Sequence, residues 1–157
     1  MLEPLAEPLH LVLVAPQIPP NTGNVARLCA VTGCKLVLIE PLGFSISDKH
    51  LKRAGLDYWD KVFLRLLPSW EAYLDAFPQA RRWLFTARAP ENLYAARFQP
   101  GDHLVFGSET TGLAESVLNG GAGRLVTIPM LPERRSLNLS TAVGIAAYEA
   151  LRQLQPG

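Results

Sequence analysis

The chain has little of what most readily betrays a function. It holds two cysteines, Cys29 and Cys34, with no C-x-x-C pattern and no cluster of histidines beside them. That argues against a structural zinc, and it suits a reducing, cytoplasmic compartment in which both thiols stay free and pack as small apolar side chains. Histidine is equally scarce, at three residues. Charge of one sign is missing too: fifteen basic residues face fourteen acidic ones, for a net charge of +1. No broad field draws the molecule onto a polyanion, so nucleic acid would have to be met by local patches. The early apolar run from Leu9 to Ala15, broken by His10, is too short for a membrane span or a secretory leader. Neither an internal repeat nor a low-complexity stretch interrupts the sequence.

What is present is a globular composition, 48% hydrophobic and 18% charged, in 157 residues. That length suits one domain, residues 1–157, with a single well-buried core. Short apolar runs at 9–14, 35–40, 61–67, 81–87, 102–107 and 124–129 read as strands, each bounded by Gly, Pro, Asn or Ser. Several lack alternation, as strands covered on both faces do. Helices are expected at about 21–32, 47–55, 69–77, 112–119 and 138–154, with Asn21, Ser47 and Ser69 as N-caps. The segment "SWEAYLDAF" carries an apolar stripe at Trp70, Tyr73, Leu74 and Phe77. This order implies an α/β fold, a parallel sheet with helices on both faces. Ligands of such sheets gather in the loops at the carboxyl ends of the strands.

Three of those loops stand out. "PQIPPNTGNVAR" stiffens the chain with prolines and then sets Arg27 early in a helix, where a cation opposes the macrodipole. A guanidinium, with five donors in a flat fork, suits phosphate. In "LVFGSETTGL", Gly107 and Gly112 bracket a turn that lets backbone approach a ligand. Leu113 and Ala114 occupy the places where a P-loop needs Lys and Ser/Thr, and no G-x-S-x-G elbow is present. His103, inside a strand pattern, reads as structural, and Glu109 as a tie for its own loop. "TIPMLPERRSLNLS" then leads into a helix rich in Ala and Gly. Ser136 and Asn138 are both capping types, and capping one helix leaves Arg134 and Arg135 unexplained. The small-residue face, with Gly144 inside it, suits a tight core or a subunit interface.

Taken together, "PPNTGNVARLCA", "FGSETTGL" and "IPMLPERRSLNLSTAV" resemble the three motifs of the SPOUT-class RNA 2′-O-ribose methyltransferases. The intervening "EPLGFSISDKHLKRAGLDYWD" is similar to the small, single-domain branch that methylates the wobble nucleotide of tRNA, position 34, a cytidine or modified uridine, in leucine tRNAs. The resemblance runs from about Leu9 to Leu154. It implies a C-terminal trefoil knot, one of the few exceptions to the rule against threaded chains. It also implies S-adenosylmethionine bound in the knot by Phe85, Thr86, Gly107, Ile128, Met130, Ser136, Leu137 and Asn138. Further implications are a homodimer, tRNA as the partner, and a methyl transfer that uses no metal and no membrane.

Arg27, Asn21 and Ser136 match the residues of the family's catalytic centre. An arginine stays protonated, so Arg27 is expected to steady a developing alkoxide rather than to remove a proton, with Asn21 orienting it or the ribose. Ser136 and Asn138 would cap the last helix around the cofactor. Arg27, Lys49, Arg53, Arg134 and Arg135, with Lys52 beside them, would track the RNA backbone, where phosphate contacts position without reading sequence. Two alternatives stand within this fold: methylation of another tRNA or rRNA site, and a non-catalytic RNA-binding module. A flavodoxin-like nucleotide binder is the weaker rival, because "APQIPPNTGN" places three prolines, which lack N–H donors, where a phosphate cradle would sit.

Overall fold

A computed structural model describes residues 1–47, 49 and 62–157. Six strands form one sheet: β1 (His10–Val14), β2 (Lys35–Ile39), β3 (Leu64–Leu67), β4 (Arg82–Phe85), β5 (His103–Phe106) and β6 (Arg124–Val126). Their order is β3-β2-β1-β5-β4-β6, and every pair is parallel. The helices are α1 (Pro19–Thr32), α2 (Trp70–Ala76), α3 (Glu115–Leu118) and α4 (Leu139–Leu154), with a 3-10 turn at Leu93–Ala95. Most of the helix expected at 47–55, with Ser47 as its expected N-cap, falls outside the described residues.

The unalternating strands are explained by two cores. Leu11, Leu13, Leu36, Leu38, Leu104 and Phe106 point to one face, where they meet Val25, Ala26 and Cys29 of α1 and Val143, Ala146, Ala147 and Ala150 of α4. Val12, Val37, Ile39, Leu84 and Val105 point to the other, against Tyr73 of α2 and Val117 and Leu118 of α3. The stripe on α2 faces this second core as expected, with Trp70, Leu74 and Phe77 packed beside the fully buried Tyr73. Each sheet face therefore removes its own set of aliphatic side chains from water, the dominant favourable term in folding.

Two N-cap expectations are corrected and two hold. α1 begins at Pro19, with Ile18 as its N-cap and no side-chain cap bond. A proline at the first helical position has its φ preset and lacks only an amide that would be orphaned anyway, so the helix starts there and Asn21 falls inside it. At α4 the side chain of Asn138 accepts from the Thr141 amide, which makes Asn138 the cap and leaves Ser136 outside that role. Ser69 caps α2 by accepting from the Ala72 amide.

The C-terminal third carries the chain crossings. From β5, in the interior of the sheet, the chain passes through α3 to β6 on the outer edge beside β4. It then turns back, held to the β4–β5 connection by Thr127, whose amide donates to Glu91 and whose carbonyl accepts from Leu93. α4 ends up against α1, β5 and the 3-10 turn. That return path belongs to the trefoil-knot fold, and it gathers three loops at the carboxyl ends of β4, β5 and β6.

Candidate active site

Those loops enclose a cavity of about 480 Å³. Its floor is apolar: the rings of Phe85 and Phe106 stack at 4.5 Å and 16°, beside Leu113, Leu139 and Ala142. One wall is the end of β4, with Thr86, Ala87 and Arg88. A second is the turn 107–113, and a third comprises Thr127, Ile128, Met130, Arg135, Ser136 and Leu137. The basic members, Arg88 and Arg135, are exposed at the rim, and Arg88 pairs with Glu115 at the start of α3.

The turn 107–113 is shaped by its glycines. A Cβ on Gly107 would lie 2.1 Å from the carbonyl carbon of Gly112 and 2.2 Å from the amide nitrogen of Leu113. Gly112 itself has φ of 65°, in the region where side chains are strained. The Gly112 amide donates to the Ser108 carbonyl at 3.0 Å, and the hydroxyls of Ser108 and Thr111 meet at 2.7 Å. The turn folds on itself, leaving its remaining backbone polar groups beside the cavity.

Glu109 holds its own backbone amide, as expected of a loop tie, but it also reaches beyond its loop. Its carboxylate reaches across to the start of α1 and accepts from the amides of Gln17 and Ile18, both at 2.8 Å, and from Nδ2 of Asn21 at 3.1 Å. Burial by itself would raise the Glu109 carboxyl, but these donors outweigh it and hold the group below the usual carboxylate range. Asn21 is buried, and its Oδ1 accepts from Nδ2 of Asn138 at 3.1 Å. Glu109, Asn21 and Asn138 thus join the three loops singled out in the sequence.

Seven of the expected cofactor residues, Phe85, Thr86, Gly107, Ile128, Met130, Ser136 and Leu137, line the cavity, as does Arg135. Asn138 stands behind the wall as the cap of α4. Arg27 is exposed on α1 and is not part of the wall, and Asn21 acts through Glu109 and Asn138. Arg134 and Lys49 are exposed and do not line the cavity. Arg53 and Lys52 lie outside the described residues. The sequence reading missed Glu109's reach and the wall positions Arg88 and Thr127. A lone glutamate in a polar turn carries no local mark that its partners lie some ninety positions away.

Among the described residues no group of three or more His, Cys, Asp or Glu is placed to hold a metal ion, and no helix is long and apolar enough to cross a membrane.

The family model of the SpoU rRNA Methylase family matches residues 8–148. A relative from Polaromonas sp. strain JS666, named tRNA (cytidine(34)-2'-O)-methyltransferase, is 50% identical over 147 residues, covering 92% of this chain and 90% of the relative. The Escherichia coli K12 protein of the same name is 46% identical over 147 residues, with coverage of 93% and 94%. A solved structure from work described as structural insights into the 2-OH methylation of C/U34 on tRNA superposes with a TM-score of 0.90 at 55% identity, covering 94% of this chain and 97% of its own.

Proposed function

This chain belongs to the SpoU rRNA methylase family, and from that premise we propose that it methylates the ribose 2′-hydroxyl of the wobble nucleotide of tRNA, position 34, with S-adenosylmethionine as donor. The observation that carries the reading is the cavity assembled from three loops and tied behind by Glu109, Asn21 and Asn138. Its volume of about 480 Å³ lies within the usual range for small-molecule sites. The residues fit the donor: a stacked aromatic floor suits a purine, and the backbone along 107–113 and 128–137 can meet polar edges. The basic side chains of the wall stand exposed at its rim, where they do not force a cation against a buried cation.

The donor supplies a methyl group already activated on a positive sulfur, so the protein's task is alignment. Phe85, Phe106, Leu113 and Leu139 exclude water from the cavity. Gly107, Ile128, Met130 and Leu137 offer backbone groups close to the ligand, and Ser136 adds a hydroxyl at the mouth. Arg27 is the group we assign to the acceptor side. Its guanidinium keeps its charge at any working pH, so it stabilises negative charge growing on the ribose oxygen rather than taking the proton. Asn21 holds the start of the same helix in place. Arg134, Arg135 and Lys49 contribute phosphate contacts on the approaching RNA.

The same reading makes the protein a homodimer working in the cytoplasm on leucine tRNAs. Support for the dimer comes from apolar side chains left in solvent on neighbouring helices: Val31 of α1 and Ile145 and Tyr148 of α4. A Cβ built on Gly144 would meet nothing within 4 Å, so a partner's surface has room to approach α4 there. Support for a reducing compartment comes from Cys29 and Cys34, both buried and unbridged.

The test is to incubate the protein with total tRNA and labelled S-adenosylmethionine and to map the label. The expected product carries a 2′-O-methyl group at nucleotide 34 of leucine tRNAs. Label on no tRNA ribose would overturn the assignment.

A further inference from the structure

We infer that Glu109 is a positioning residue that couples the cavity to the helix carrying Arg27, so that filling the cavity tightens the protein's grip on RNA. This rests on reading the cavity as the donor site and α1 as part of the acceptor side.

The argument starts from what α1 lacks. Its first residues are Pro19 and Pro20, which have no amide hydrogen, and its N-cap Ile18 has no side chain able to accept. The Asn21 amide is already spent on the Ile18 carbonyl at 3.1 Å. The amides of Gln17 and Ile18 remain, aimed at the positive end of the helix, and the carboxylate of Glu109 takes both. An anion from another loop thus does what a side-chain cap would do, with the macrodipole in its favour.

The chain just before α1 needs such a hold. Ala15 has φ of 52°, a left-handed conformation that costs a residue with a side chain free energy and persists only where neighbours enforce it. Within that stretch the Ala15 amide donates to the Ile39 carbonyl at 2.8 Å and the Pro16 carbonyl accepts from the Gly43 amide at 3.0 Å, and Glu109 takes the two amides that follow. Asn21, its third donor, extends the link to Asn138 and so to the cap of α4.

Glu109 itself sits in the turn 107–113, and Gly107, Ser108 and Gly112 on either side of it line the cavity. The turn is closed on itself by Ser108 with Thr111 and Gly112 and anchored at its end by the buried Leu113, which leaves its exposed part, Thr110 to Gly112, to be held by what touches it. A ligand that fixes the turn therefore fixes the carboxylate, and with it the start of α1. RNA docking on α1 then meets a helix whose ordering cost has already been met, which is positive cooperativity without any large movement. Linkage makes the effect reciprocal: bound RNA must tighten the cavity's ligand by the same factor.

The experiment uses S-adenosylhomocysteine, which lacks the transferable methyl group, as the probe of the cavity. Hydrogen exchange at the Gln17 and Ile18 amides is followed with and without it, and the tRNA dissociation constant is measured under both conditions. In the unaltered protein the probe is expected to slow exchange at both amides and to tighten tRNA by at least about fivefold, the low end of allosteric couplings. Glu109→Gln presents an NH2 where the carboxylate accepted, so the tightening, measured with the probe saturating because Glu109 itself lines the cavity, falls to near onefold. Asn21→Ala keeps both amide contacts and is expected to give an intermediate factor; it carries the test if the first variant does not fold. A factor of one in the unaltered protein, or an equal factor in Glu109→Gln, overturns the coupling. Failure of the donor-site reading shows differently, as no heat of probe binding and no methyl transfer.

Discussion

Gly107 and Arg27 mark the two sides of the reaction, and each makes a prediction that the other does not. At Gly107 an added methyl group would lie 2.1 Å from backbone carbon, far inside contact distance, and the obstructing atoms are main chain that no rotamer change can move. Gly107→Ala must therefore open the turn 107–113. It is expected to weaken S-adenosylmethionine binding by at least about tenfold in calorimetry and to lower stability by about 1–3 kcal/mol in chemical denaturation, the range for overpacked sites. Arg27 is exposed and stands outside the cavity wall. Arg27→Ala should leave donor binding unchanged and cut methyl transfer by at least about tenfold, against the roughly 10²–10³-fold cost of one lost donor to a developing oxyanion. Retained turnover would remove Arg27 from the mechanism. A variant set in which both substitutions weaken donor binding equally would instead place Arg27 in the cavity.

At the scale of elements, the helices show what a linear sequence discloses and what it hides. Parallel strands and two covered faces were legible because runs such as "HLVLV" and "KLVLI" lack alternation, and the three loops were legible because proline and glycine cluster where polar residues do. The cap of α4 was half legible: Ser136 and Asn138 are both capable, and only the path of the chain decides for Asn138. The start of α1 was misplaced because Asn21 looks like a cap, whereas Pro19 begins the helix and frees the asparagine for a contact 117 positions away. Contacts of that range follow from sheet order and chain crossings, which carry no local signal. α4 also shows a divided small-residue face. Ala146, Ala147 and Ala150 are fully buried in the core, while Gly144 faces open space. Gly144→Ala should therefore raise the intrinsic stability of the helix by up to about 1 kcal/mol. If α4 forms the subunit contact, the same change weakens the dimer, read as a shift of the sedimentation boundary toward monomer at fixed concentration. Unchanged association would move the interface elsewhere.

Across the whole molecule the two ends of the sheet are built for different work. The carboxyl ends carry the cavity, while the amino ends are closed by buried polar groups. Asp102 is almost fully buried and accepts from Nε1 of Trp83 at 2.8 Å, from the Gln99 amide at 2.9 Å and from Nε of Arg81 at 3.1 Å. Beside it, Nε of Arg82 lies 3.1 Å from the Tyr73 hydroxyl, which lies 2.7 Å from Nδ1 of His103. An arginine only donates, so the hydroxyl accepts from Arg82 and is left able to donate to His103 in the tautomer whose Nδ1 carries no proton. His103 in turn stacks on His10 with centroids 4.2 Å apart. Burial, then the charges of His10 and Arg82, pushes His103 down to about 3, and burial with Lys35 takes His10 down to about 4. The sign follows from linkage. Unfolding restores both rings to about 6.5, so below that pH the unfolded chain binds protons that the folded chain refuses. Stability from this cluster is therefore complete above about pH 6.5 and is lost as pH falls toward 4 and then 3. Each ring contributes a slope of up to about 1.4 kcal/mol per pH unit in between. The window between pH 6 and pH 5 lies just below the ordinary imidazole value and above the ordinary carboxyl values, so it weights the histidines. Urea denaturation at pH 7, 6 and 5 should show a steepening loss, and His103→Asn, with one titrating ring fewer, should roughly halve the slope between pH 6 and 5 whatever it does to stability at pH 7. A slope that survives the substitution intact would mean that the sealed end of the sheet is not what acid attacks.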